Sequence, residues 1–229
     1  MHLVLSGEGN SDLGLFCSFN NEFIAGSMYF IVDKIIEQKY DFSFYSFKDD
    51  MISFIPKVEL TKLTKRLPPF TGKKGLKGTA YFTNNAIALS KIAKEKSKEI
   101  DDEVIAILFR DSDGTSSTIK GLWEDKVSSV ENGFKIGGFS SGVAMIPKPK
   151  SEAWLICALK NSPYQDCQRL EERSGNDDSP HSLKKELDSF DVDSEEINEM
   201  IQNGNIDIKQ IDMPSFEYFC NRLNSLLNA

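Results

Sequence analysis

The sequence is poor in the residues from which many metal and catalytic sites are built. It contains only two histidines, His2 and His181, and its four cysteines lie far apart without any CxxC pair. This composition argues against a His-rich metal site, a zinc site, histidine-based catalysis and a small disulfide framework. We expect all four cysteines to be buried and reduced: Cys17, Cys157, Cys167 and Cys220.

Long apolar runs are also absent. No segment approaches the roughly 18 consecutive apolar residues of a membrane helix, and residues 1–6 carry no basic stretch ahead of a long apolar one. We therefore expect a soluble, cytoplasmic protein with no membrane partner. Its chemistry must rest mainly on carboxylates, which are abundant.

Acidic side chains outnumber basic ones, 35 to 27, but the charge is unevenly distributed. Residues 57–98 contain eleven Lys or Arg against two Glu, whereas residues 171–199 contain eleven acidic side chains against three basic ones. Phosphate contacts depend on local charge, so the basic segment predicts a face that binds a polyanion such as nucleic acid. A solvated helix face is the other interpretation of the same lysines.

The order of apolar patterns predicts an α/β protein with a mainly parallel central sheet and helices on both faces. Residues 1–160 would form this domain, and residues 161–229 an acidic helical C-terminal extension packed on it. The Lys-rich, Pro- and Gly-punctuated residues 57–78 are typical of a surface loop. The expected strands span residues 2–6, 41–47, 103–110 and 142–147, and the expected helices span residues 23–38, 80–100, 118–130, 151–159 and 215–227.

Two predicted strand ends are unusually acidic. Glu8 and Asp12 follow the first strand, and Asp111 and Asp113 follow the central one. In parallel α/β sheets, ligands collect outside the carboxyl ends of the strands, and carboxylates gathered there repel unless a cation neutralises them. The pattern therefore predicts a Mg²⁺ or Mn²⁺ site. The alternative is that these acids only cap helices and fill turns.

A third strand end carries basic and acidic side chains together. Lys148 and Lys150 could hold a scissile phosphate there, and Glu152 could face the metal site from the first turn of the next helix, which Ser151 can cap. Taken alone, Glu152 is an ordinary acid at a helix N-terminus, where it interacts with the helix dipole.

Three short motifs have to be weighed against this interpretation. The GxSxG spelled by residues 138–142 precedes a strand instead of following one, which excludes a nucleophile elbow. Gly7-Glu8-Gly9 lacks the third glycine of a dinucleotide loop. The DxDGT at residues 111–115 matches the nucleophile motif of haloacid-dehalogenase-type phosphatases, although that motif normally follows the first strand; such a phosphatase stays an alternative.

Three segments in this order resemble the TOPRIM fold shared by topoisomerases, bacterial primases and nucleases of the overcoming-lysogenization-defect (OLD) family. The segments are LSGEGNSD at residues 5–12, LFRDSD at residues 108–113 and MIPKPKSEAW at residues 145–154. The similarity covers about residues 1–160 and a Pro/His/Lys-containing segment at residues 179–185. It is strongest to a small stand-alone TOPRIM-related family linked to anti-phage defence and partnered with an ABC-type ATPase.

The resemblance implies a role for each matching residue. Glu8 would be the family glutamate, a metal ligand or proton-transfer group, and Asp111 and Asp113 would bind Mg²⁺. Asp12 and Glu152 resemble the additional acids of two-metal OLD-type nucleases, and Lys148 or Lys150 resembles their lysine near the phosphate. No topoisomerase tyrosine is identifiable, so hydrolysis is favoured over strand passage. The partner would be a nucleic acid, with DNA preferred to RNA, although the sequence does not decide between them.

The same resemblance also implies partners for this chain. The sequence lacks the GxxxxGK[ST] of an ATPase, so any ATP dependence must come from a partner chain. Lys73, Lys74 and Lys77 would hold the nucleic-acid backbone without reading bases. Two further hypotheses concern assembly. The chain could form a homo-oligomer, or it could be a non-catalytic subunit that docks on the ATPase through residues 171–199 or the final helix. For that helix, packing on its own core is the expected alternative.

Overall fold

The fold is seen in a computed structural model that describes residues 1–9, 12–17, 22–66, 79–112 and 123–228. Four strands form one parallel sheet in the order β4-β1-β5-β6. The strands are β1 (His2–Ser6), β4 (Ile52–Phe54), β5 (Val104–Phe109) and β6 (Gly142–Met145). β1 and β5 occupy the centre and are wholly buried, as expected for apolar parallel strands covered on both faces.

Side chains of the central strands alternate between two apolar cores. In β5, Ile105, Ile107 and Phe109 face one core, and Val104, Ala106 and Leu108 face the other. Because successive strand residues point to opposite faces, both faces of the sheet need a helical cover. The first core receives side chains from α1 (Ser27–Tyr40), α6 (Ser151–Leu159) and α9 (Pro214–Leu227), and the second from α4 (Thr79–Ile100) and α5 (Trp123–Ile136). This arrangement confirms the α/β class with helices on both faces.

The helices differ widely in length, from one turn to six. α4 is the longest, and its span agrees with the predicted helix at residues 80–100. The α-helices are α1 (Ser27–Tyr40), α2 (Lys48–Met51), α3 (Lys57–Thr64), α4 (Thr79–Ile100), α5 (Trp123–Ile136), α6 (Ser151–Leu159), α7 (Leu183–Asp188), α8 (Ser194–Gln202) and α9 (Pro214–Leu227). Short 3₁₀ helices span Phe44–Phe47, Cys167–Glu172 and Ile208–Gln210.

An antiparallel hairpin replaces the start of the predicted helix at residues 23–38. It pairs β2 (Gly14–Cys17) with β3 (Glu22–Ala25), and α1 begins only at Ser27. At Gly14, φ is +125° and an added Cβ would lie 2.2 Å from the Ile24 carbonyl oxygen. Only glycine fits there, so the close approach of the two strands depends on it.

The predicted strand at residues 41–47 is wrong. Phe44 and Tyr45 donate their backbone N–H groups to the Asp33 carboxylate at 2.7 and 3.2 Å, and the Ser43 hydroxyl donates to it at 2.5 Å. These bonds satisfy the backbone locally, so the segment turns into a 3₁₀ helix and the edge strand β4 starts five residues after it.

The predicted surface loop at residues 57–78 is wrong in its first part. Lys57–Thr64 forms α3, which buries Leu60 against the core that α4 and α5 share. Residues 67–78, with Lys73, Lys74 and Lys77, lie outside the described residues.

The expectation of four reduced cysteines is also wrong. Cys157 in α6 and Cys167 form a disulfide with a Cα–Cα distance of 5.3 Å. The chain folds back after α6, where Tyr164 donates its N–H to the Cys157 carbonyl at 2.8 Å, and this turn brings the two cysteines together. Cys17 and Cys220 are free thiols.

The C-terminal segment packs on the core that contains α1 and α6. α9 begins with proline in its first turn and buries Phe216, Phe219 and Leu223 against Trp154 and its neighbours. Leu227 is buried as well, whereas its neighbour Leu226 is only partly buried. The final helix therefore packs on its own core, and the division of the chain at residue 160 stays a prediction. Among the described residues, no helix combines the length and apolarity needed to cross a bilayer.

Candidate functional site

The candidate site lies at the carboxyl edge of the parallel sheet. β1 and β5 are neighbours in parallel register, with Ser6 opposite Leu108, so Glu8 and Asp111 leave the sheet at the same edge. The loop after β6 is tied to this edge, because Ser112 donates its N–H to the carbonyls of Pro147 and Pro149 at 3.3 and 3.1 Å. Three consecutive strands of the sheet thus deliver their following loops to one place.

One half of the site is an acid cluster, which we define as Asp12, Asp111 and Glu152. Ser151 connects its members: its N–H donates to Asp111 Oδ1 at 3.1 Å and its hydroxyl to Asp12 Oδ1 at 3.2 Å. Asp12 Oδ2 also accepts from the Gly9 N–H at 3.1 Å. The prediction that Ser151 caps α6 is wrong: Lys150 is the N-cap residue, and Ser151 uses its hydroxyl across the site.

Burial and mutual repulsion make the charged forms of these acids unfavourable. Desolvation, followed by the charges of Asp12 and Glu152, raises the pKa of Asp111 well above its usual value, although the Ser151 N–H opposes the change. Burial also raises the pKa of Asp12, where the charge of Glu8 adds to the rise, and the pKa of Glu152, where the charge of Asp12 adds to it. The cluster therefore holds negative charge that its protein partners do not fully neutralise.

A divalent cation fits the donor set of the acid cluster. Its ligands would be hard carboxylate oxygens, which Mg²⁺ and Mn²⁺ prefer, and a positive ion would relieve the repulsion that raises the pKa values. Within the described ranges, however, no three His, Cys, Asp or Glu side chains are already arranged to hold a metal ion. In the arrangement seen, Asp12 and Asp111 each direct one oxygen to Ser151 instead of to a common point. Asp113 lies outside the described residues.

The other half of the site surrounds Glu8. Tyr81 donates its hydroxyl to Glu8 Oε1 at 3.1 Å, and Lys57 Nζ lies 3.0 Å from the same oxygen. Arg110 Nε lies 3.9 Å from that oxygen. We call Lys57, Tyr81 and Arg110 the donor cluster. Glu8 also raises the pKa of Asp111 electrostatically, so the donor cluster and the acid cluster adjoin.

Arg110 is completely buried at the end of the central strand β5. Its Nη1 donates to the carbonyls of Ser6 and Phe109 at 3.1 and 2.6 Å, and its Nη2 bonds Asn85 Oδ1 at 3.1 Å and Ser6 Oγ at 3.4 Å. A guanidinium has five N–H donors, so these four bonds leave only Nε. Within the described part of the chain, Nε has no hydrogen-bond partner and faces Glu8.

The two lysines predicted to hold phosphate are placed differently from each other. Lys150 pairs with Asp177 at 2.7 Å, and although partial burial alone would lower its pKa, this bond and the charge of Glu152 raise it. Lys148 is half-buried and precedes Pro149 across a cis peptide bond. Lys150 therefore lies at the rim of the acid cluster, but with an acidic partner of its own.

Sequence reasoning missed the donor cluster. Arg110 was visible as a charged residue directly after the apolar run of β5, and a buried charge of this kind points to a site. Lys57 and Tyr81 gave no such signal, because α3 and α4 bring them to Glu8 only in the folded chain. The GxSxG segment ends at Gly142, the first residue of β6, and Ser140 lies in the bend before that strand.

A cleft of about 180 Å³ opens beside the acid cluster. It is lined by Asp12, Ser151 and Glu152 on one side and by Lys184 of α7 on another. Asp12 and Glu152 are thus accessible from a cavity that also presents a basic side chain.

The chain matches no family model, no curated protein and no solved structure. The TOPRIM resemblance therefore stays a prediction, and the function has to be argued from the site.

Proposed function

We propose that this protein is a Mg²⁺- or Mn²⁺-dependent nuclease of the TOPRIM type, which hydrolyses phosphodiester bonds in nucleic acid. The observation that carries the proposal is the acid cluster beside Glu8: four carboxylates from three separate chain segments adjoin at the carboxyl edge of one parallel sheet. Stability alone does not favour such a grouping, because each charge raises the cost of the others.

The residues would divide the work by position. Asp12, Asp111 and Glu152 would hold the cation, with Asp113 as a further ligand, and Glu8 would serve as ligand or proton-transfer group. When bound, the cation would lower the pKa of a water for attack on phosphorus and neutralise charge on the leaving oxygen. Ser151 orients two of the carboxylates through its N–H and hydroxyl, and Lys150 supplies positive charge at the rim.

The wider setting rests on the resemblance alone. It implies action on DNA, a role in anti-phage defence, an ABC-type ATPase as partner and Lys73, Lys74 and Lys77 as backbone contacts. The substrate, the biological role, the partner and the backbone contacts are therefore proposals that rest on this resemblance.

The direct test of the activity is cleavage of plasmid and oligonucleotide substrates by the purified full-length chain with Mn²⁺. We expect Asp111→Ala to lower the cleavage rate at least about a hundredfold, because it removes a charge that the transition state needs. Asp178→Ala, which removes an exposed acid, is the matched control and should cleave like wild type. Wild-type cleavage by Asp111→Ala would exclude the proposal.

A haloacid-dehalogenase-type phosphatase is the second candidate. It is favoured by one observation, the position of Asp111 at the end of a central strand of the sheet. In that chemistry Asp111 would form an aspartyl-phosphate and Asp113 would act as general acid. Turnover of p-nitrophenyl phosphate that is lost in Asp111→Ala but kept in Glu8→Ala would select this function over the nuclease.

A further inference from the structure

The donor cluster has more positive charge than Glu8 neutralises. Lys57 and Arg110 are cations, Tyr81 adds a hydroxyl donor, and all three face the single oxygen Glu8 Oε1. Two cations and one carboxylate leave a net positive charge directly beside the negative acid cluster. A phosphodiester that approached the acids would find this positive charge on its other side.

Arg110 supplies an independent indication of a ligand. Four of its five N–H donors are fixed by Ser6, Phe109 and Asn85, so the guanidinium cannot turn to find another acceptor. Its remaining donor, Nε, is buried, has no hydrogen-bond partner among the described residues and lies 3.9 Å from Glu8, too far for a hydrogen bond. A buried donor without a partner is costly, and an anion seated closer than Glu8 would satisfy it.

We propose that the donor cluster is an anion-binding subsite whose ligand is a phosphate group of the substrate, with the Glu8 carboxylate as its internal occupant. Glu8 adjoins both clusters, so its carboxylate can turn toward the acid cluster when a cation is present there. That turn frees Lys57, Tyr81 and the Nε of Arg110 for phosphate oxygens. This subsite rests on the proposed function for its substrate class, and it assigns phosphate binding to Lys57 and Arg110 as well as to Lys150.

The proposal makes two opposite predictions for one ligand. Glu8 and phosphate would compete for the same donors, so removing the charge of Glu8 should strengthen phosphate binding. Removing Lys57 should weaken it, because a charge-assisted contact is lost. A general electrostatic effect of the protein surface would not single out Lys57 from its neighbours on α3.

The test is isothermal titration of the full-length chain with inorganic phosphate, in EDTA. We expect Glu8→Gln to bind phosphate about fivefold more tightly than wild type, and Lys57→Gln to bind it about fivefold more weakly. Lys62→Gln is the matched control, because Lys62 is an exposed lysine of the same helix, and it should bind like wild type. Tyr81→Phe, which keeps the ring and loses the hydroxyl donor, should also bind phosphate more weakly than wild type. It provides the second test of the subsite if Glu8→Gln does not fold.

Equal affinities of wild type and Lys57→Gln, or equal losses in Lys57→Gln and Lys62→Gln, would overturn the subsite. So would a folded Glu8→Gln that binds phosphate no better than wild type. The titration contains neither cation nor cleavable substrate, so its result is separate from that of the nuclease assay. If the protein cleaves nucleic acid but fails this titration, only the proposed subsite is excluded. If it passes the titration but cleaves no nucleic acid, only the proposed nuclease activity is excluded.

Discussion

At the scale of single residues, the site is held by side chains that serve more than one partner. Asp111 accepts from the Ser151 N–H while it repels Asp12 and Glu152, and Glu8 accepts from Tyr81 while it pairs with Lys57. The charge of Asp111 is one that the folded chain alone does not favour. Its cost is measurable as a dependence of stability on pH.

The raised pKa of Asp111 predicts that its charge destabilises the folded chain in EDTA. A carboxyl whose pKa is raised by folding stabilises the fold below its unfolded pKa, and this contribution is lost as pH rises through the folded pKa. Asp111→Asn copies the neutral form and keeps an oxygen for the Ser151 N–H. We expect its Tm at about pH 8 to exceed that of wild type by about 2–4 °C, the change that ~1 kcal/mol produces in a chain of this size.

Two comparisons make this prediction specific. The difference in Tm should shrink as the pH is lowered toward about 4, where wild-type Asp111 becomes neutral too. Asp178→Asn, an exposed acid, should leave the Tm unchanged at both pH values. A Tm of Asp111→Asn below that of wild type at pH 8 would show that the charge stabilises the site.

At the scale of elements, the helix pair α4 and α5 is held together by close backbone approach. Gly133 of α5 faces α4, and a Cβ added there would lie 2.5 Å from the Thr83 carbonyl oxygen and 2.6 Å from the Ala86 Cβ. Neither contact is a flexible chain end, so a larger residue would push the helices apart. α4 also carries Tyr81 and Asn85, which position Glu8 and Arg110.

Gly133→Ala should therefore destabilise the fold by about 2 kcal/mol in urea denaturation, as overpacking of a tight interface does. Asn132→Ala changes the exposed neighbour on the same helix and should stay within about 0.5 kcal/mol of wild type. A cost for Gly133→Ala no larger than for Asn132→Ala would mean that the helices can separate freely.

The same glycine shows why some element boundaries could not be predicted from the sequence. The predicted helix at residues 118–130 ends before Gly133, yet α5 continues through this glycine to Ile136. The helix continues because it packs on α4, and the local sequence pattern of α5 carries no information about this partner helix. The strands β1, β5 and β6 and the helices α4, α6 and α9 could be predicted, because their apolar periodicity is local.

The candidate site shows the same difference between features set by the local sequence and features set by distant parts of the chain. Glu8, Asp12, Asp111 and Glu152 could be predicted as neighbours, because parallel strands end at one edge of the sheet. Their partners could not, because Tyr81 and Lys57 reach Glu8 from helices far along the chain. The predicted strand at residues 41–47 failed for a related reason, since its backbone donates to the carboxylate of Asp33 in the preceding helix α1.

At the scale of the whole molecule, the C-terminal helix completes the core on one face of the sheet. Phe219 of α9 is fully buried and stacks on Trp154 of α6, with ring centroids 5.9 Å apart. α6 is also the helix whose first turn carries Ser151 and Glu152. The final helix therefore supports the element that bears part of the acid cluster.

Phe219→Ala should cost about 3–5 kcal/mol of unfolding free energy, the usual range for a fully buried phenylalanine. Asn221→Ala, an exposed position two residues further along α9, should cost less than about 0.5 kcal/mol. Urea denaturation of both variants measures the difference. A cost below about 1 kcal/mol for Phe219→Ala would show that the core does not depend on α9, and it would favour α9 as a docking surface for a partner.

The proposed nuclease mechanism requires a divalent cation at the acid cluster, and diffraction from crystals grown with Mn²⁺ would locate it. We predict an anomalous peak bound by Asp12, Asp111 and Glu152, with Glu8 turned toward it from Lys57 and Tyr81. In Asp111→Asn crystals under the same conditions the peak should weaken or vanish. Well-ordered wild-type crystals with these carboxylates unbound at saturating Mn²⁺, or with Mn²⁺ only elsewhere, would contradict the account.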